Sequence, residues 1–227
     1  MDTITPKTGF ILIDKPQHIS SHAVVSILRR ITNTKRIGHA GTLDPLATGL
    51  LILAIGREAT KRLDEFAKQD KEYIAAIRFG FESVSYDAEG PITQIYSGLG
   101  LEKEKIMDAL SSFLGKIEQY PPKYSAKKQN GKRLYQLARK NQPIELKPSL
   151  VEIKGLDILD YSWPDLKVKV NCGTGTYIRS LAHDLGKKLG CGAYLSDLRR
   201  TRIGAQTIDR AVELDTMDRD NWVKYLF

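Results

Sequence analysis

Hydrophobic residues in this chain fall into two rhythms, and the alternation between them sketches the elements. Residues 9–14 (GFILID) and 49–56 (GLLILAIG) are continuous apolar runs that begin with glycine, which predicts buried strands. Between them, Val24, Ile27, Leu28 and Ile31 repeat at helical spacing behind Ser20 or Ser21, either of which can cap the helix. A charged helix is predicted near residues 58–66. Strands follow at 73–79 and, after the turn Glu89-Gly90-Pro91, at 92–96. Ile106, Leu110, Phe113 and Leu114 mark an amphipathic helix that stops at Gly115. A short helix around 134–140, strands near 150–159 and 166–172, and a helix striped by Ile178, Leu181, Leu185 and Leu189 come next. A last strand covers roughly 193–203, and the tail from Ala205 reads as mixed helix and turn. Hairpin-like turns without a strict βα alternation predict an α+β fold, a mixed and largely antiparallel sheet with packed helices, over a doubly wound parallel sheet.

Composition adds class. The chain has 227 residues, 41% hydrophobic and 27% charged, an ordinary globular balance with room for a sizeable core. Its longest apolar run, residues 50–55, is too short to cross a bilayer, and MDTITPKTGF lacks the pattern of a signal peptide. Cys172 and Cys191 form neither a disulfide framework nor a CxxC pair, so a reducing, cytoplasmic setting is expected. Net charge is +8, and one window carries most of it. Between Lys116 and Lys140 stand eight basic residues against the single acid Glu118, a local +7, with Tyr120, Pro121, Pro122 and Tyr124 interleaved. This window reads as a basic insertion projecting from the body, suited to a polyanion, nucleic acid first, although a solvated basic loop has the same composition. The expected organisation is one body over residues 1–204, with 116–140 as the insertion and 205–227 as a short extension that is no independent domain.

The candidate chemistry lies in two irregular stretches. Residues 38–49 read GHAGTLDPLATG, with three glycines, a proline, His39 and Asp44. The stretch matches neither a phosphate-binding nor a dinucleotide-binding glycine pattern, and HISSH at 18–22 lacks the glutamate of a zinc motif. No G-x-S-x-G elbow is present and no metal or cofactor site is visible. Asp44 followed by Pro45 is equally the signature of a helix N-cap. The second stretch, CGTGTYIRSL at 172–181, sits at a strand-to-helix junction. Tyr177 and Arg179 share a face there if the chain is still extended, and flank Ile178 once it is helical.

Together these segments resemble the tRNA pseudouridine-55 synthase family of the TruB type. GHAGTLDPLATGLL looks like the family's signature. GFILIDKP before it, and KEY, YPPKYSA, GKRLYQLAR, GTYIR and LRR after it, occur in family order, so that the resemblance runs from about residue 9 to residue 204. It implies that Asp44 is the essential carboxylate, that Tyr73 stacks on the target base and is a candidate to take up a proton, and that Arg179 pairs with Asp44. It further implies that Tyr177 and Leu198 shape the pocket and that His39 touches the RNA beside the flipped nucleotide. The basic segment corresponds to a thumb-like insertion in which Lys127, Lys128, Lys132 and Arg133 meet phosphates.

The reaction so implied turns a uridine of tRNA into pseudouridine and needs no redox cofactor, metal or nucleotide triphosphate. The partner expected is the T arm stem-loop of tRNA, with no membrane, no obligatory protein partner and a monomeric chain. Three other readings fit parts of the pattern: a non-catalytic RNA-binding or tRNA-folding protein, a guide-dependent synthase subunit, and a glycoside hydrolase. The last wants two opposed carboxylates where one stands out. Many family members carry an accessory RNA-binding domain after the body. Only 24 residues follow Ile203 here, with five acids against three bases, which predicts binding by the body and its insertion alone.

Overall fold

The computed structural model describes residues 7–129 and 131–227. In chain order, its first part runs β1 (Gly9–Lys15), α1 (Ser21–Thr32), β2 (Ile37–Ala40), β3 (Thr48–Ile55), α2 (Arg57–Lys61), α3 (Asp64–Ala67) and β4 (Lys71–Phe79). The middle continues with β5 (Phe81–Ser83), β6 (Ile92–Gln94), α4 (Lys103–Ser111), β7 (Gly115–Gln119), β8 (Lys128–Gln129), β9 (Lys132–Arg133) and α5 (Leu134–Ala138). The rest is β10 (Ser149–Ser162), β11 (Asp165–Cys172), α6 (Ile178–Leu189), β12 (Ala193–Ile203), β13 (Gln206–Thr207) and β14 (Val212–Glu213), with three short 3-10 turns in the tail. The expected α+β class, a largely antiparallel sheet with packed helices, is what forms; β1 with β14 and β12 with β3 pair parallel, as does the isolated bridge between Asp87 and Leu195. No helix among the described residues is long and apolar enough to cross a membrane.

Two compact units share the chain. The first is built from residues 7–73 with 199–227, the second from 74–198. In the first, strands lie in the order β14-β1-β3-β12, with β2 paired to β3 and β13 to β12. β3 is apolar at every position from Leu50 to Ile55 because both of its faces are covered. Leu51, Leu53 and Ile55 join Ile11, Ile13, Val24, Leu28, Met217 and Trp222 on one side. Leu50, Ile52 and Ala54 join Phe10, Leu12, Ala59 and Phe66 on the other. The tail from residue 205 belongs to this packing: Met217 and Trp222 enter the core, and Phe227 exchanges backbone hydrogen bonds with Phe10 at 3.0 and 3.1 Å.

Ser20 caps α1, its hydroxyl accepting from the Ala23 N–H at 3.1 Å, while Ser21 is the first helical residue. The single charged helix expected at 58–66 breaks into α2 and α3 around Arg62 and Leu63. The strand expected at 92–96 shortens to three residues paired with β5.

In the second unit the order is β4-β11-β10-β7, with α4 packed on α6 and on β10. β11 alternates strictly, with Leu166, Val168, Val170 and Cys172 buried, as a sheet with one covered face requires. The basic window begins inside this sheet: Lys116 and Glu118 sit on β7, opposite Glu152 and Leu150. Beyond Gln119 the chain leaves the sheet until Ser149, held by the two-residue ladder of β8 and β9 and the single turn and a half of α5.

Candidate active site

GHAGTLDPLATG is less irregular than its glycines suggest. Its first residues complete β2, with His39 opposite Leu53, and its last two open β3. Only residues 41–47 are loop, and Asp44 caps no helix. The Asp44 carbonyl instead accepts from the Ala47 N–H at 3.1 Å, closing a tight turn on Pro45 and Leu46. Gly41 enters the loop at φ +79°, a conformation that costs glycine little.

Four groups from elsewhere in the first unit hold this loop. The Ser21 hydroxyl, buried, donates to the Leu43 carbonyl at 2.9 Å and accepts from the Leu43 N–H at 2.8 Å. The His18 N–H donates to the Pro45 carbonyl at 2.8 Å. The Lys15 ammonium reaches the same carbonyl at 3.5 Å, and those of Pro16 and Ile19 at 2.8 Å each. Arg200 donates through Nη2 to Gly41 O at 3.0 Å and through Nε to Leu50 O at 2.8 Å. Lys15 and Arg200 are almost wholly buried. Both residues flanking Asp44 are therefore tethered, while its own half-buried side chain lies between the tethers. Packing is equally tight where the loop meets β12. A Cβ on Gly49, at φ +99°, would stand 2.3 Å from the Arg200 carbonyl oxygen.

His39 is half-buried on β2, and its buried Nδ1 has no hydrogen-bond partner among the described residues. Burial first, then the positive charges of Arg200 and His22, push its pKa below the ordinary 6.5, so the ring is neutral at pH 7. In the KEY segment Tyr73 is buried at the end of the first unit. Lys71 beside it turns inward, its ammonium donating to the carbonyls of Ala67 at 2.7 Å and Gln69 at 2.5 Å.

In the second unit, Tyr177 is the N-cap of α6 and still extended, at φ −98° and ψ 110°, while Arg179 is already helical. The Tyr177 backbone is bracketed by the side chain of Gln119, which accepts from its N–H at 2.7 Å and donates to its carbonyl at 3.0 Å. Ser180 adds a hydrogen bond to Tyr120 O at 2.7 Å. Arg179 is buried, and Nη1 lies 3.3 Å from Oδ2 of Asp87, a carboxylate that is itself 2% exposed. Its guanidinium also donates to the carbonyls of Ser85 at 3.1 Å and Tyr124 at 3.0 Å. Oδ1 of Asp87 accepts from the Ser85 hydroxyl at 2.5 Å and from the Glu89 N–H at 3.0 Å. Arg179 is thus fixed in direction by partners on three sides, and Leu198 is buried in the same unit.

The four cations expected to meet phosphates divide. Lys127 is turned back onto the protein, donating to Lys147 O at 3.1 Å and to the Ser149 hydroxyl at 2.5 Å. Lys128, Lys132 and Arg133 are exposed on β8 and β9.

Lys15, Arg200, Asp87 and Gln119 carry much of this geometry without standing out in the sequence, and Ser21, which reads there as a candidate helix cap, holds Leu43 instead. Arg200 lies in the quoted LRR segment and Lys15 in GFILIDKP, but their partners are backbone carbonyls, which leave no mark on a sequence pattern. Asp87 stands in SYDAEG, whose composition reads as turn.

The pattern described as TruB family pseudouridylate synthase (N terminal domain) matches residues 29–178, and that described as tRNA pseudouridylate synthase B C-terminal domain matches 179–224. A tRNA pseudouridine synthase B of Protochlamydia amoebophila is 47% identical over 90% of this chain and 77% of its own length. One of Chlamydia abortus is 45% identical over 94% of this chain and 92% of its own. Among solved structures, an H/ACA ribonucleoprotein bound to a substrate RNA containing 2′-deoxyuridine holds a chain 27% identical, with a TM-score of 0.70 over 97% of this chain. A Cbf5–Nop10–Gar1 complex gives 29% and 0.73 over 96%. This chain spans 54% of the length of each of those two.

Proposed function

The chain belongs to the TruB family of pseudouridylate synthases, and from that premise we propose that it isomerises the uridine at position 55, in the T arm of tRNA, to pseudouridine. It acts in the cytoplasm as a monomer, with the RNA as its sole partner. In this reaction the C1′–N1 bond breaks, the uracil turns, C1′ bonds to C5, and the proton first on C5 is lost while N1 gains one. No atom of the base or sugar is otherwise added or removed.

Asp44 is the carboxylate that meets the ribose. Three routes use it: covalent attack on C1′, stabilisation of a positively charged sugar, or assistance in forming a glycal after loss of a C2′ proton. Each needs a carboxylate held within a fraction of an ångström, and the observation that carries the assignment is the tethering of Leu43 and Pro45 on either side of it. To Arg179, whose direction is set by Asp87, we assign the task of keeping that carboxylate anionic. Tyr73 stacks on the flipped uracil and is the candidate to accept the C5 proton. Tyr177 and Leu198 line the pocket, and a neutral His39 stacks beside the flipped nucleotide. A base inside a stem-loop is out of reach until it is extruded, at a cost of a few kcal/mol, and aromatic stacking returns roughly 1–3 kcal/mol of that. Lys128, Lys132 and Arg133 supply phosphate contacts.

The test is release of tritium from unmodified tRNA labelled at uridine C5, since each turnover liberates one such hydrogen. The wild-type chain alone releases it and Asp44→Asn releases none while still binding the RNA. Release by both proteins, or by neither, overturns the proposal. Release only after another protein or a guide RNA is added would make this a guide-dependent subunit instead.

A further inference from the structure

From Asp14 to Glu58 the chain carries one carboxylate between those two ends, Asp44 itself. Residues 15–43 hold five cations, Lys15, Arg29, Arg30, Lys35 and Arg36, and no acid. Lys15 is buried and engaged with backbone carbonyls, but the other four are exposed. None of the four lies within ion-pair distance of a carboxylate among the described residues. Three exposed cations on the neighbouring helices α2 and α3 are matched instead: Lys61 faces Glu58 at 2.9 Å, Arg62 faces Glu65 at 2.8 Å and Lys68 faces Asp64 at 3.4 Å.

The fold gathers the four. Arg29 and Arg30 stand in the last turn of α1, Asn33 at φ +48° reverses the chain, and Lys35 and Arg36 return beside the helix end before β2 begins. Arg29, Asn33, Thr34 and Lys35 line a depression of about 350 Å³. The partial negative charge of a helix C-terminus accounts for cations in its last turn. It does not account for Lys35 and Arg36, which lie past the helix, nor for the absence of any acid on the approach to Asp44. Four exposed cations without a neighbouring acid set up a local positive potential, which attracts a polyanion.

We propose that Arg29, Arg30, Lys35 and Arg36 form a second contact face for the substrate tRNA, gripping its phosphodiester backbone. This rests on the tRNA reading above and adds a binding site outside the basic segment at 116–140. The face leads directly into β2, where three steps of extended chain, about 10 Å, take Arg36 to His39. An RNA whose flipped nucleotide meets His39 therefore runs its neighbouring phosphates past these four side chains. Shape and charge recognition of this kind needs no base contact.

The experiment measures tRNA affinity over a series of KCl concentrations. Arg29→Gln, Arg30→Gln, Lys35→Gln and Arg36→Gln together should weaken binding by roughly 10-fold or more at low salt and reduce the log–log salt slope by about 3. The two pairwise variants, at 29 and 30 and at 35 and 36, should each take about half of that slope, and they stand in if the fourfold variant folds poorly. Arg29→Lys with Arg30→Lys, which keeps the charge, should retain the slope. Lys61→Gln with Lys68→Gln, from already paired sites, should leave it unchanged. Tritium release at saturating tRNA should keep its wild-type kcat while KM rises. A wild-type slope in both pairwise variants, or an equal loss in the paired-site control, overturns this face. Failure of the wild-type protein to release tritium at all overturns the tRNA reading instead.

Discussion

Residues 41–47 in the first unit and residues 120–147 in the second are both breaks between strands, yet they use polar groups in opposite ways. The short break draws polar groups in. Ser21, Lys15 and Arg200 arrive from three distant places and satisfy backbone atoms at Gly41, Leu43 and Pro45. The long break sends charge out, with Lys128, Lys132 and Arg133 on a two-residue ladder, while Lys127 turns back to anchor it. The contrast follows from the two tasks. A carboxylate that must meet one carbon of one sugar loses rate steeply with misplacement. Contacts to phosphate need charge at a surface, and tolerate a segment with little buried area.

The sharpest way to break the contrast is a methyl group. Gly49→Ala places a Cβ 2.3 Å from one backbone atom of Arg200 and 2.8 Å from another, at φ +99°. Backbone cannot move aside as a side chain can, so we expect a loss of at least about 3 kcal/mol in denaturant unfolding and no turnover. Gly131→Ala, in the outer segment, has the same kind of backbone, φ +80°, with nothing within 4 Å. It should cost only the conformational strain, about 1–2 kcal/mol. Equal losses at the two glycines would show that φ alone, and not the closeness of Arg200, sets the difference.

Next in size is Ser21→Ala. It removes both bonds to Leu43 and leaves a buried N–H and carbonyl unsatisfied, a cost of about 1–3 kcal/mol. Turnover should fall by roughly 10- to 100-fold as Asp44 loses its tether, with tRNA affinity unchanged. An affinity loss as large as the loss in kcat would place Ser21 in binding and not in positioning.

How far the sequence led depends on what kind of interaction made each feature. The two-sided burial of β3, the α1 stripe and β12, which spans the expected residues 193–203, follow from periodicity that a linear pattern carries. The short ends did not: Gly38 to Ala40 pair with β3 despite their glycine, because β3 supplies an edge that local propensity cannot see. Asp44-Pro45 reads as a helix start, and no helix follows, since Pro45 O is already taken by His18 and Lys15. For the same reason Ser21 reads as a second candidate cap, while its actual partner is 22 positions away. Candidate residues came from motif resemblance; their supports came from contacts between residues remote in sequence, which spacing does not encode.

The outer segment supplies the third prediction, small in stability and clear in binding. Lys128→Gln, Lys132→Gln and Arg133→Gln together should change folding by less than about 0.5 kcal/mol and lower the log–log salt slope of tRNA affinity by about 2. Lys127→Gln should do the reverse. It loses the bonds to Lys147 and Ser149, so stability drops while the slope hardly moves. If Lys127 lowers the slope as much as its neighbours do, the inward anchor is not kept in the complex.

The smallest effect concerns pH and returns to the inner loop. The folded pKa of His39 is lowered, by burial first and then by Arg200 and His22, below the 6.5 of the unfolded chain. Below pH 6.5 the unfolded chain therefore takes up a proton that the folded chain resists, and stability falls as pH drops toward the folded pKa; above 6.5 the contribution is constant. His183 acts in the same direction, burial outweighing the attraction of Asp184 and Glu82. Asp184 acts oppositely and lower down, because burial raises its pKa above 3.8 and its contribution is lost as pH rises through the folded value. Between pH 6.5 and 5 the two histidines should give a stability that declines with acid, by at most about 1.4 kcal/mol per pH unit for each. His39→Gln should remove its share of that slope, read from urea midpoints at pH 7.5 and 5.5, while Lys128→Gln leaves the slope untouched. An unchanged difference between those midpoints in His39→Gln would mean that water reaches Nδ1 freely, and that the inner loop is less closed than its buried tethers imply.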